Sequence, residues 1–199
     1  MKIRSIALIA PLLLVACATN GESGQNQQAL LKNPLYLELY SEQMVDTMVN
    51  LEIYEDPLLE DAVKKDIADS TKKYWLAEAK KSRKAQRRSS KGSLITMKEY
   101  GAGEVMFTKD GTAVHFGPAF VSTPGPSLHA FLSVTVDPRD VEFPDISAID
   151  LGEVNVPYGA QTFMLKDKKP KDPIKYRTLV LWDTKLGRLY SFAQLSPLY

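Results

Sequence analysis

Apolar positions in the first part of the chain recur at helical steps. Leu37, Tyr40, Met44, Met48 and Leu51 fall three or four residues apart and form one stripe of an amphipathic helix. Pro34 suits the first turn of that helix, and Glu55-Asp56-Pro57 ends it. Asp56 can then cap a second helix, with Pro57 at its first position and Glu60 and Asp61 near the positive end of its dipole. Leu59, Val63, Ile67, Tyr74 and Glu78 share one face of this second helix. That thinner stripe is expected to face the first helix or a neighbouring surface, and Gly92 is expected to stop the helix. Residues 34–92 therefore predict a helical hairpin.

The period changes beyond residue 93. Leu128, Ala130, Leu132, Val134 and Val136 alternate with His129, Phe131, Ser133, Thr135 and Asp137, which predicts a half-buried strand with His129 on its polar side. Gly103 to Phe107 precedes Lys109-Asp110-Gly111-Thr112, where Asp-Gly signals a hairpin turn. Gln161 to Leu165 reads as a further strand. Leu179-Val180-Leu181-Trp182 is apolar on both faces, as a central strand would be, and Leu189 to Leu195 closes the series. Eight of the 11 glycines and nine of the 12 prolines lie beyond residue 100, which breaks long helices and favours short strands joined by tight turns. The expected fold class is α+β: a helical hairpin followed by an all-β sandwich over residues 93–199.

The chain opens differently. Met1-Lys2-Ile3-Arg4 is a short basic start, and Ile6 to Ala16 is an uncharged run of 11 positions, against about 20 for a membrane-spanning helix. A basic leader, a short apolar stretch and small residues form the pattern of a secretory signal. The stretch ends Leu14-Val15-Ala16-Cys17, which resembles the bacterial lipoprotein signal, or lipobox, in which the cysteine sulfur receives a diacylglycerol, a further acyl chain such as palmitate can follow, and the chain is cut just before it. On this reading residues 1–16 are a signal peptide, Cys17 is the lipidation site, and residues 17–33, polar from Thr19 to Gln28, form a flexible tether. Two or more acyl chains anchor stably where one binds reversibly. The expected address is the cell envelope, either the outer membrane or the outer face of the cytoplasmic membrane.

Composition narrows the function classes. Across 199 residues, 25 Lys+Arg against 24 Asp+Glu give a net charge of +1, too balanced for a dedicated nucleic-acid binder. One cysteine excludes an internal disulfide and a thiolate metal cluster, and two histidines leave little for a histidine-rich metal site. Charge is concentrated in one place: Lys80 to Lys91 holds seven basic and no acidic residues. Such a strip either lies on phospholipid headgroups or acidic wall polymers, each cation near an anionic surface being worth about 1 kcal/mol, or is the solvated end of a helix.

Four segments, in order, resemble the DM-thirteen domain, an electron-transfer-type domain of Skeletor-like animal proteins and of bacterial envelope proteins. They are Pro124-Gly125-Pro126-Ser127-Leu128 with Leu132-Ser133, Leu151-Gly152-Glu153-Val154 with Gly159-Ala160-Gln161-Thr162-Phe163, Val180-Leu181-Trp182-Asp183, and Phe192-Ala193-Gln194-Leu195. The resemblance spans roughly residues 101 to 197 and implies a β-sandwich in a cell-surface setting. It also carries a departure. The family places a cysteine directly after the tryptophan, and its proposed redox role rests there; this chain has Asp183, which offers no thiolate.

The remaining chemistry is sparse. Ser127 lies in Gly-Pro-Ser-Leu-His, where a nucleophile elbow needs glycine at the position of His129. His115, His129 and Asp183 could share a metal if their strands were neighbours, though no short ligand spacing supports this. Asp137, Asp140, Glu142, Asp145 and Asp150 make an acidic connection without the spacing of a calcium loop. Asp183 itself is expected either to lie wet just past its strand or to pair with Arg177, Arg188 or a lysine. The expectation is a lipid-anchored envelope protein whose sandwich binds an envelope protein or an acidic polymer without catalysis, with no resident cofactor. Its loops at Pro118 to Ser127, Asp137 to Asp150 and Lys166 to Pro173 would carry specificity. The alternative is a redox accessory protein that uses a bound haem or metal.

Overall fold

The computed structural model describes residues 27–197. The signal segment, Cys17 and most of the tether lie outside the described residues. After a short turn α1 (Gln27–Leu30), the helix α2 (Pro34–Ile53) begins where the sequence expects it. Its stripe from Leu37 to Leu51 is half-buried. Asn33 caps this helix, its Oδ1 accepting from the backbone N–H groups of Leu35 and Tyr36 at 3.0 and 3.4 Å. The same side chain donates through Nδ2 to the carbonyls of Phe116 and Gln161 at 2.8 and 3.1 Å. One buried amide thus starts the hairpin and ties its base to the β-domain.

The second helix corrects two expectations. Asp56 caps only a 3₁₀ turn, Pro57–Glu60, while Asp61 caps the long helix α3 (Ala62–Gln86) by accepting from Val63 and Lys64 N–H. The face that meets α2 is not the one carrying Val63, Ile67 and Tyr74, which remain exposed. Ala68, Ala79, Ser82 and Gln86 are buried there instead. Small side chains let the helices approach, and Trp75 fills the gap edge-on to Tyr40, ring centres 5.0 Å apart. Ser82 Oγ and Gln86 Nε2 donate to the Pro34 carbonyl at 2.5 and 3.1 Å, satisfying a group at the first turn of α2. Arg83 bridges Glu38 and Glu42, and Lys72 reaches Glu52.

Gly92 does not stop α3, which ends at Gln86; it lies inside strand β1 (Ser90–Ser93). A Cβ there would collide with the Gln194 carbonyl, so glycine serves a close crossing of two strands. Eleven further strands follow: β2 (Ile95–Thr96), β3 (Gly101–Ala102), β4 (Glu104–Phe107), β5 (Ala113–Phe116), β6 (Val121–Ser122), β7 (Leu128–Ser133), β8 (Ile149–Glu153), β9 (Gln161–Met164), β10 (Thr178–Asp183), β11 (Arg188–Gln194) and β12 (Ser196–Pro197). They form two antiparallel sheets, ordered β12-β1-β4-β5-β9 and β2-β11-β10-β7-β8, with β3 and β6 as a small separate pair. Residues from both sheets fill one core, among them Phe107 and Phe116 from the first and Leu132, Leu179 and Leu181 from the second. The architecture is a helical hairpin on a two-sheet antiparallel sandwich, α+β as expected.

The strand at 128 is shorter than its alternation suggests and is not half-buried. It ends at Ser133, and its other side is covered as well. Phe131, Val180 and Phe192 on the outer face of the second sheet pack under Phe143, with Trp182, Leu189 and Met97 at the margin. The connection from Val134 to Ala148 thus closes a second, smaller apolar cluster.

Candidate functional site

Asp183 stands at the end of β10, opposite Leu128 of β7 and Arg188 of β11. It is completely buried. Its Oδ1 accepts from Lys185 and Leu186 N–H at 3.0 and 2.8 Å, closing the tight turn into β11. Its Oδ2 accepts from Ser127 N–H at 3.0 Å, which holds the loop entering β7. Thr184 reinforces the junction, its N–H donating to the Ser127 carbonyl at 2.9 Å. Gly125 passes so close that a Cβ would strike Asp183 Oδ2 and lie 2.8 Å from the Tyr190 hydroxyl. Burial alone would raise the Asp183 pKa, but the three backbone donors outweigh it and hold the carboxyl below its usual range. Neither expected state of Asp183 occurs. The carboxylate is not wet, and its partners are backbone amides rather than a cation, Arg188 pairing with Glu99 at 2.8 Å instead. Asp183 opening a turn that closes at Gly187, with φ of 59°, was the signal available in the sequence.

The three residues offered as a shared metal site are not brought together. His115 belongs to β5 in the first sheet, where it is buried and its Nδ1 meets Thr162 Oγ1 at 2.9 Å. Burial lowers its pKa to about 4, so the ring is neutral near pH 7. His129 lies in the second sheet on the outer face, opposite Trp182. Its Nδ1 sits 3.0 and 3.1 Å from the two Asp150 oxygens, and its ring stacks on Phe131 with centres 6.1 Å apart. Asp183 shares that sheet but ends in the brace described above. Among the described residues, no three His, Cys, Asp or Glu side chains converge on a point where a metal could sit.

In the acidic connection Asp137, Asp145 and Asp150 are bonded internally, whereas Asp140 and Glu142 are exposed. Asp137 binds Arg139 through two oxygens, and the Arg139 guanidinium lies 5.6 Å from the centre of the Phe192 ring. Asp145 accepts from Ser133 and Thr135 hydroxyls at 2.6 and 3.3 Å and from Ser147 N–H at 2.7 Å. These bonds fold the loop onto the outer aromatic cluster and leave Val136, Val141 and the fully exposed Ile146 on its rim. Ser127 donates no proton to a histidine; its Oγ meets Thr184 Oγ1 at 2.9 Å. Among the described residues, the buried hydroxyls of Ser41 and Ser122 have no hydrogen-bond partner. Hydroxyls meet a base elsewhere: Thr162 Oγ1 meets His115 Nδ1 at 2.9 Å, and Ser133 and Thr135 donate to the Asp145 carboxylate.

In the basic strip, Arg83 is bound by Glu38 and Glu42, and Lys91 by Glu104. Lys80, Lys84, Arg87 and Arg88 form no ion pair among the described residues and are exposed. No helix among the described residues is long and apolar enough to cross a membrane. Compared with protein-family models, with curated proteins and with solved structures, the chain matches none.

Proposed function

We propose that this chain is a lipid-anchored protein of the bacterial cell envelope, held through Cys17, whose sandwich is a non-catalytic platform for binding an envelope partner. The observation that carries the platform reading is the state of Asp183. The side chain that stands where the resembled DM-thirteen family has its cysteine is buried, ionised and held by three N–H donors of its own chain. A group in that state holds loops in place; it does not exchange electrons or protons with a visitor. The rims of the connecting loops, with Ile146 and Val141 outward, are where apolar contact with a partner would form.

Two measurements test the reading. Cells fed a labelled fatty acid are expected to label the wild-type chain and not its Cys17→Ser variant; label in the variant refutes the anchor. Protein purified from the envelope is expected to be colourless and metal-free and to crosslink in cells to a discrete partner. A haem spectrum or stoichiometric bound metal would refute the platform reading in favour of a redox accessory role.

A further inference from the structure

The outward side of α3 carries a pattern that packing of the hairpin leaves unused. Val63, Ile67, Ser70 and Tyr74 stand at alternating steps of four and three, and the series continues through Ala77, Lys81, Lys84 and Arg88 just past the helix end. All eight are exposed, Val63 by 69%, Ile67 by 57% and Tyr74 by 58%. Alternation averaging about 3.5 residues is the spacing of a seam between two helices. This seam is distinct from the Ala68-Ala79-Ser82-Gln86 side that meets α2.

Charge is segregated along the chain from the last turn of α2, through the 3₁₀ turn, to the end of α3; within α3 itself the first part holds Asp66 and Asp69 beside Lys64 and Lys65. From Glu52 to Asp69 there are seven acidic and two basic residues, and from Lys72 to Lys91 nine basic and one acidic. The apolar members of the seam fall in and just after the acidic half, its cationic members in the basic half.

We propose that this side of α3 pairs with the same side of a second copy of the chain, antiparallel, about a two-fold axis between Tyr74 and Ala77. The antiparallel register sets Ile67 opposite Lys84 of the second copy and Val63 opposite Arg88, the long stems of the cations covering the apolar side chains. It brings Glu60, Asp61 and Asp66 of each copy towards Lys84, Arg87 and Arg88 of the other. A parallel pair would set acid against acid and base against base. An anionic membrane would attract the basic half and repel the acidic half, whereas an interfacial helix has cations along its whole polar side. The isologous pair is the arrangement in which both halves find opposite charge, and it closes after two copies. It does not depend on lipidation of Cys17.

The test uses the full chain purified in a non-ionic detergent and followed by sedimentation velocity. A concentration-dependent monomer–dimer equilibrium is expected, weakened as ionic strength rises from about 0.05 M to about 0.5 M and the Debye length shrinks. Lys84→Glu with Arg88→Glu, and separately Glu60→Lys with Asp66→Lys, should each weaken self-association by about tenfold or more, since each turns attraction into repulsion at both ends. An equimolar mixture of the two variants should recover wild-type association, because each then meets the opposite charge. Circular dichroism should show both variants folded, all four positions being exposed. A chain that stays monomeric, a dimer insensitive to the reversals, or a mixture that fails to recover would overturn the proposal. So would binding to phosphatidylglycerol vesicles that is lost with Lys84→Glu and Arg88→Glu in the absence of any self-association, which would assign the seam to a lipid surface.

Discussion

Replacing Asp183 with asparagine changes one oxygen to an amide nitrogen and is expected to destabilise the sandwich markedly at neutral pH. The carboxylate receives three backbone N–H groups at 2.8 to 3.0 Å. In the variant an NH₂ must face either Ser127 N–H or the Lys185–Leu186 pair, so at least one donor confronts a donor. Lys185 and Leu186 lie on an exposed turn, where water can take over. Ser127 is half-buried, so its N–H is less open to water. A hydrogen bond to a charged group contributes about 1.5–3 kcal/mol, and an unpaired buried donor costs about 1–3 kcal/mol. Allowing for water at the turn, the expected loss is about 2–4 kcal/mol, a large share of the roughly 5–15 kcal/mol that holds a domain folded. The loss has a pH signature. Because the folded-state pKa of Asp183 lies below its unfolded value, its contribution is complete above the unfolded pKa and disappears as pH falls through the folded one. The gap between wild type and variant should therefore narrow below about pH 4. Asp110, Asp137 and Asp145 are also held low, but they are common to both proteins and cancel in the difference. Urea unfolding followed by tryptophan fluorescence at pH 7 and pH 3 measures the gap, Trp182 being the adjacent residue. A variant as stable as wild type at pH 7, or a gap unchanged at pH 3, refutes the brace.

Further substitutions probe the same physics. Gly125→Ala should cost about 1–3 kcal/mol by overpacking against Asp183 and Tyr190, and clearly less in an Asp183→Ala background, a coupling that a double-mutant cycle in urea would read. Asp183→Cys should fold with a thiol that reacts with an aromatic disulfide reagent only after urea is added; rapid native-state reaction would show the position open. His115 should remain neutral in an NMR titration down to about pH 4. Its folded pKa lies below the unfolded one, so wild-type stability falls by up to about 3 kcal/mol as pH drops from about 6.5 towards 4, and His115→Asn should remove that part of the slope. Asn33→Ala, which removes a helix cap and two bonds to the sandwich, should cost about 2–3 kcal/mol and raise amide exchange first in the opening turn of α2.

Much of the sandwich was legible because its strands obey local rules. Asp110-Gly111 turns between β4 and β5, with Gly111 at φ 69°, and the doubly apolar run at 179–182 lies between β7 and β11 as a central strand must. The misreadings share a cause: partners distant in sequence decided the outcome. Ser90 to Ser93 has no strand signal of its own and becomes one by pairing with β4 and β12. His129 reads as an exposed polar alternate, yet Phe143, 14 residues later, helps to close an aromatic cluster beside it. On α3 the larger apolar residues drew the predicted contact face, whereas close approach to α2 selected alanine, serine and glutamine. The role of Asn33 depends on carbonyls 83 and 128 residues away, which no local pattern announces.

That pattern of satisfaction bears on function. In a catalytic cleft, buried polar groups are held with capacity to spare, because the substrate completes them. Here three buried or half-buried polar groups are bonded from within the chain. Asn33 spends both ends of its amide, Asp145 is ringed by hydroxyls, and Asp183 is held by three amides, all from the chain itself. Apart from the buried hydroxyls of Ser41 and Ser122, unspent capacity lies outside, in the four unpaired cations at the end of α3, the apolar half of its seam, and the valines and Ile146 on the loop over the second sheet. Contacts made from such positions require neither a change in protonation nor a rearrangement of the core. They should therefore respond to charge reversal and ionic strength while the fold, reported by Trp182 in its aromatic cluster, stays as it is.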